Sequence, residues 1–197
     1  MCFYHLVPAG RGSQLAGEDL PPHRRRAAID RIIDLAAAHP DIDVLTVDNH
    51  ADGPYLHLRL LREDPEKARR ALDLLGRNRG NASGVRLACV SAAGRVHPDQ
   101  FWRAPVLGNV RERSFADIWA DTSAAGGLTG RLRARPRPVT GRCAACRWLD
   151  VCNGNLRARA EALTGDPWAS DPACYLTDAE IGLTEPAEAA DAGGAVT

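Results

Sequence analysis

The chain has 197 residues, 45% of them hydrophobic and 25% charged, the make-up of a globular protein with one compact domain or two small ones. Its 25 basic and 25 acidic side chains cancel, so no global field recommends nucleic acid or a membrane surface as a partner. No segment approaches the roughly 18 apolar residues of a bilayer span. The opening "MCFYHLVPAGRG" has neither a basic leader nor a long apolar run, which predicts a cytoplasmic chain with reduced cysteines.

In chain order, "HLVPAGRG" (His5 to Gly12) reads as a strand end running into a glycine-rich loop. "PPHRRRAAIDRIIDLAAAHP" reads as a helix, with Ala28, Ile29, Ile32, Ile33 and Ala36 at helical spacing and Pro40 as its stop. Val44 to Val47 reads as a short strand, so the opening is a βαβ unit of a parallel sheet. "GPYLHLRLLRE" is ambiguous, because Leu56, Leu58 and Leu60 alternate while the run also fits a helix. "DPEKARRALDLLGRNRG" is a helix with Pro65 near its start and Gly76 near its end.

From about Asn81 the character changes. Val85, Leu87 and Cys89 alternate, Ala92 to Gly94 form a turn, and Val96 resumes, which is a hairpin signal. "SFADIWADT" is a short helix capped by Ser114, "NLRARAEALTG" a second helix, and Thr177 with Glu180 a capping box. Between them Arg131, Arg133, Arg135 and Arg137 lie in a stretch with no acid from Thr122 to Leu149. Aromatics are only 5% of residues, so the expected core is mostly Leu, Val, Ile and Ala. The chain divides near residue 80: 1–80 looks like a piece of a larger α/β sheet, 81–183 like a small module in need of a staple, and 184–197 like a disordered tail.

The staple is offered by "GRCAACRWLDVCNGN", which holds Cys143, Cys146 and Cys152, and by Cys174 in "DPACYL". Four thiolates complete the ligand set of Zn²⁺ or of a [4Fe–4S] cluster. Zinc ribbons pair two C-x2-C knuckles and this chain has one, while uneven spacing suits the wider iron–sulfur cube. Ala144, Ala145 and Gly154 are small enough for close passage of the chain, and Pro172 stiffens the last ligand's loop. The acid-free arginine segment would offset the negative charge of such a cluster. Cys2 and Cys89 stand alone and read as small core hydrophobes.

These cysteines, with "HLVPAGRG", "NASGV", "GRVHPDQFW", "LGNVRERSFADIW", "PRPVTGRCAAC", "CNGNLRARAEALTGDPW" and "DPACYLTDAEIG", resemble the SPASM-type radical S-adenosylmethionine (SAM) proteins, and among them the radical SAM proteins of haem d1 biosynthesis. The resemblance implies the C-terminal part of a partial (β/α) barrel followed by an auxiliary-cluster domain of a β-hairpin, short helices and Cys loops. By position it implies Cys143, Cys146, Cys152 and Cys174 as ligands of one [4Fe–4S] auxiliary cluster. A second auxiliary cluster of the wider pattern would need cysteines near Asp99 and Leu156, and this chain has none there.

The family's SAM-cleaving cluster sits on C-x3-C-x2-C, and after Cys2 the next cysteine here is Cys89. The chain therefore looks like the C-terminal half of such an enzyme, from a truncated, split or mis-started gene. SAM and a second [4Fe–4S] cluster would enter only with the N-terminal half. The resemblance implies removal of propionate side chains from a modified sirohaem-type tetrapyrrole. A carboxylate-rich macrocycle calls for Arg, His and polar partners, and the candidates are His5, Arg11, Asn49, His97, Asp99 and Arg103, with Gln100 and Trp102 beside them. Two other readings stay open: a stand-alone electron-transfer or binding module serving a separate radical SAM chain, and a zinc-stabilised structural domain.

Overall fold

The structure is a computed structural model that describes residues 1–184; the expectation of a disordered tail thus falls, Thr184 apart, outside the described residues. Strand β1 (Cys2–Tyr4), helix α1 (Pro22–Ala38) and strand β2 (Leu45–Val47) form the expected βαβ unit, with β1 and β2 parallel and Cys2 opposite Leu45. The strand ends just before His5, and a 3-10 helix, Gly10–Glu18, fills the loop. α1 starts at Pro22, where a missing N–H costs nothing.

The ambiguous leucine run is helix α2 (Asp52–Glu63). Helical period rather than alternation decides it, since Tyr55 is buried along with Asp52 one turn earlier. Helix α3 (Pro65–Asn78) packs on α2 and is capped by Asp64, whose carboxylate accepts from the Lys67 amide at 3.0 Å.

Beyond residue 80 the hairpin is β3 (Cys89–Val90) and β4 (Arg95–His97), and a third antiparallel strand, β5 (Gly108–Asn109), joins β4. At two residues β5 is too short to leave a periodic signal. Helix α4 (Phe115–Ala120) carries the expected Ser114 cap, and α8 (Asp178–Ile181) the full Thr177–Glu180 capping box. Between them lie α5 (Ala124–Arg133), broken by left-handed Ala125, Gly126 and Gly127, then α6 (Leu149–Cys152) and α7 (Arg157–Thr164).

Two apolar clusters hold these elements. One gathers Val7 with Val96, Trp102, Leu107, Ile118, Leu132, Leu156 and Trp168. The other joins Ile29, Ala51 and Tyr55 to Trp148, Tyr175, Leu176 and Ile181. Each cluster mixes residues from both sides of position 80, so the two segments share their cores. The buried apolar residues are mostly Leu, Val, Ile and Ala, as expected, and the few aromatics are anchors among them: Trp102, Trp148 and Trp168 are all buried. Cys89 is half-buried on β3, whereas Cys2 is exposed and is no core residue. Among the described residues no helix is long and apolar enough to cross a membrane.

Candidate metal centre

Cys143 ends a 3-10 turn (Gly141–Cys143), and its carbonyl accepts from the Cys146 amide at 3.2 Å, closing the C-x2-C knuckle. Cys152 is the last residue of α6, which stops because Asn153 takes the left-handed conformation (φ 56°). Cys174 follows an Asp171 turn in which the Ala173 amide donates to Asp171 Oδ1 at 2.9 Å. Cys146 and Cys174 pack on the cluster around Trp148 and Tyr175. All six cysteines of the chain are free thiols.

Three of the four sulfurs receive a backbone N–H from two residues further on. The Trp148 amide donates to Cys146 Sγ at 3.4 Å, and the amides of Gly154 and Leu176 do the same for Cys152 and Cys174. Such bonds favour a thiolate. Burial acts the other way, reinforced by the negative charge of the other cysteines: it pushes the Cys152 thiol up to about 12 and Cys174 up to about 11, and raises Cys146. The Cys143 charge acts on each of these three thiols, so the quartet lies within mutual electrostatic reach. A metal centre bound here would have to displace the protons that burial holds on these thiols.

Among the described residues, no three His, Cys, Asp or Glu side chains converge tightly enough to hold a single metal ion. Four free cysteine thiols are a donor set that an iron–sulfur cluster accepts. The donor set therefore fits the iron–sulfur group.

The surroundings are fixed by buried polar groups that the sequence pattern does not reveal. Gly80, at φ +61°, backs onto the Cys152 carbonyl: a Cβ there would lie 2.4 Å from that oxygen. Asn81 accepts at its carbonyl from Asn153 Nδ2 (2.7 Å), and its own amide donates to the Cys152 carbonyl (3.1 Å). Arg159 and Asp171 form an ion pair with no exposed surface. The arginines near the cysteines also differ from expectation. Arg131 stacks on Trp168 at 3.8 Å and Arg133 on Trp119 at 4.8 Å, while Arg135 is exposed. The guanidiniums that feel the cysteine charges include Arg137, Arg142, Arg147 and Arg157. Ala144, Ala145 and Pro172 are exposed, and Gly154 is buried.

The six substrate candidates separate into three groups. Arg11 and Arg103 are exposed. Val7 and Ala9, just before Arg11, belong to the same apolar cluster as Phe101 and Trp102, just before Arg103. Asn49, His97 and Asp99 are buried and hydrogen-bonded internally, His97 through Nδ1 alone. Asn49 donates to the Ala173 carbonyl at 3.0 Å and accepts from Asn155 Nδ2 at 2.7 Å; His97 Nδ1 donates to the Pro105 carbonyl at 2.9 Å; Asp99 accepts from Ser83 Oγ at 2.5 Å and from the Phe101 amide at 2.8 Å. His5 pairs with Asp52 at 2.9 Å. His5, Asp99 and Arg159 act together on Asp48, a residue absent from the candidates. Asp48 sits just past β2 at φ 71°, and burial raises its carboxyl above the usual range. Leu156, at the other position of a would-be second cluster, belongs to the apolar core.

Residues 83–147 match the SPASM family, an iron–sulfur cluster-binding domain. The match takes in Cys143 and Cys146 and ends short of Cys152 and Cys174. The class is thereby defined as an iron–sulfur protein with a SPASM domain. The chain is 52% identical over 191 residues to the Fe-coproporphyrin III synthase of Methanosarcina barkeri, covering 94% of this chain and 48% of that protein. It is 42% identical over 188 residues to the pre-heme d1 synthase of Dinoroseobacter shibae, covering 90% and 45%. A shorter alignment, 32% identical over 96 residues, relates it to the AdoMet-dependent heme synthase of Nitratidesulfovibrio vulgaris, covering 49% and 24%. The chain thus carries a SPASM domain and is similar over most of its length to the first two of these relatives. It spans about half the length of the first two of these relatives. No solved structure matches it.

Proposed function

We propose that this chain is the cluster-bearing C-terminal half of a radical SAM enzyme of tetrapyrrole biosynthesis, working in a reducing cytoplasm. Cys143, Cys146, Cys152 and Cys174 ligate one [4Fe–4S] auxiliary cluster. The observation that carries this is the quartet of free thiols in mutual electrostatic reach, three of them met by a backbone N–H. With no protein-free iron, such a cluster would supply electron transfer or substrate positioning rather than SAM cleavage.

The SAM-cleaving cluster belongs to an N-terminal half carrying C-x3-C-x2-C, on the same or a separate chain. The β1–β2 sheet supports this. Parallel sheets are buried on both faces, yet among the described residues this one has two strands, with Tyr4 72% and Leu45 61% exposed. Further barrel strands and helices would cover them.

The substrate is a carboxylate-bearing tetrapyrrole, a modified sirohaem or a related iron porphyrin, in agreement with the names of the two relatives matched over most of this chain. The reaction is loss or change of its propionate side chains. The face at the C-terminal ends of β1 and β2, where His5 and Asp48 sit, is the place for it, with Arg11 and Arg103 on the loops beside the shared apolar cluster.

The test is anaerobic reconstitution of the chain with iron and sulfide. About four irons and four sulfides per chain are expected, and no cleavage of SAM by the chain alone. One zinc per chain, or deoxyadenosine formed without a companion chain, would overturn the reading.

A further inference from the structure

Arg137 and Arg157 are among the largest fully buried side chains of the molecule, at 1% and 0% exposure. Among the described residues neither meets a carboxylate. Arg137 donates to the Leu132 carbonyl (3.0 Å), to Asn81 Oδ1 (2.8 Å) and to the Asn153 carbonyl (3.1 Å). Arg157 donates to the carbonyls of Pro167 (2.9 Å), Ala169 (2.7 Å) and Gly154, and its buried Nε has no partner. Arg159, two residues on, shows what a balanced neighbour looks like, because Asp171 neutralises it.

A buried cation whose partners are neutral carbonyls is hydrogen-bonded but not neutralised, and its desolvation is repaid only by a nearby negative charge. The negative charges these two arginines feel include those of the cysteines: Cys152 for Arg137, and Cys143 and Cys152, together with Asp171, for Arg157. Asp171 is already engaged at both oxygens by Arg159. Arg142 is paired with Asp178 and Arg147 is exposed, so two buried, unneutralised positive charges are left within reach of the thiols. A [4Fe–4S]²⁺ core held by four thiolates carries two net negative charges. The arginines also grip the peptides after Cys152, at Asn153 and Gly154, and the Gly154 amide is the one that donates to the Cys152 sulfur.

We infer that Arg137 and Arg157 are the buried countercharges of the cluster and act as positioning residues that set its reduction potential. This rests on the four cysteines being cluster ligands. One-electron reduction adds a negative charge beside two guanidiniums in a medium of low dielectric, so each arginine favours the reduced form.

The experiment is a redox titration, followed by electron paramagnetic resonance, of the full 197-residue chain after anaerobic reconstitution. Arg137→Gln, Arg157→Gln, Arg137→Lys and Arg157→Lys are compared with wild type and with Arg133→Gln, whose guanidinium stacks on Trp119 away from the thiols. Each of the two Gln variants at the inferred positions is expected to disfavour reduction at least tenfold, a shift of about 59 mV to more negative potential for one electron. The Lys variants, which keep the charge but lose the planar fork, and Arg133→Gln stay close to wild type. Equal shifts in Lys and Gln variants would mark a merely structural role and overturn the inference, as would Gln variants that do not move. If the Gln variants fail to retain iron, iron held by the Lys variants supports the inference, and iron lost from both overturns it. A wild-type chain that binds zinc and no iron overturns the cluster reading and this inference together. A loaded wild type with indifferent Gln variants overturns this inference alone.

Discussion

Arg159 holds Asp171 through two parallel hydrogen bonds, Nε to Oδ1 and Nη2 to Oδ2, each 2.9 Å, with no part of either side chain exposed. The same carboxylate accepts from the Leu156 amide at the start of α7 (3.1 Å) and from the Ala173 amide beside Cys174 (2.9 Å). One ion pair therefore ties the last cysteine to a helix of the core. Replacing Asp171 with Asn leaves Arg159 charged and unpaired in the interior, a class of change that costs about 3–5 kcal/mol. Urea unfolding of the reconstituted chain should show that loss, and iron content should fall because the Cys174 loop loses its anchor. A stability change below about 1 kcal/mol would show that the pair is dispensable.

The ligand assignment separates the cysteines into two classes with opposite expected behaviour. Alanine at Cys143, Cys146, Cys152 or Cys174 should lower iron per chain to well under the wild-type value. Alanine at the half-buried Cys89, whose main role is packing on β3, should leave iron unchanged at a cost of about 1 kcal/mol. Iron and sulfide analysis on the same preparations decides it, and loss of iron in Cys89→Ala would break the assignment.

How much of this was legible depended on whether a feature is local. The C-x2-C knuckle, the Ser114 cap and the Thr177–Glu180 box all act within four residues, so spacing alone exposes them. The buried arginines are not of that kind. Arg157 and Arg159 lie two apart on α7 and should point to different faces, yet both are fully buried because α7 is enclosed from Arg157 through Ala160. Composition assigns arginine to the surface, and only tertiary packing turns it inward. Asn49, His97 and Asp99 show the same dependence on tertiary packing: residue type suggests ligand contact, and the fold buries each and hydrogen-bonds it internally, His97 through Nδ1. Asp48 carried one faint signal, an Asp-Asn pair after a strand, a pair that tolerates the left-handed backbone it adopts.

Gly80 gives a sharper test of the packing behind Cys152. Its φ of +61° is already costly for any side chain, and an added Cβ would sit 2.3 Å from the Cys152 carbonyl carbon and 2.5 Å from the Val151 oxygen. Backbone cannot yield as a flexible side chain can. Gly80→Ala is therefore expected to destabilise the chain by about 2–4 kcal/mol and to reduce iron retention. Gly10→Ala, at a φ of +55° with no atom within 4 Å, is the matched control and should show the backbone cost alone, with iron unchanged. Equal effects at the two positions would remove the argument for a close approach at Cys152.

The acid limb of stability should depend on Glu180. Burial raises its carboxyl, but hydrogen bonds from Arg26 and from the Thr177 amide (2.8 Å) outweigh burial and hold it below the usual value. Arg26 belongs to α1 and Glu180 to α8, so the pair joins the two segments of the chain. A carboxyl depressed in the folded state binds fewer protons there than in the unfolded chain. Its contribution is complete above the unfolded value of about 4.3 and disappears as pH falls through the lower folded value. Glu180→Gln removes that contribution while keeping the shape. The melting-temperature gap between wild type and this variant should be widest at neutral pH and close steadily below about pH 4. Paired thermal melts across that range check it, and a gap independent of pH would show that the side chain acts through packing alone.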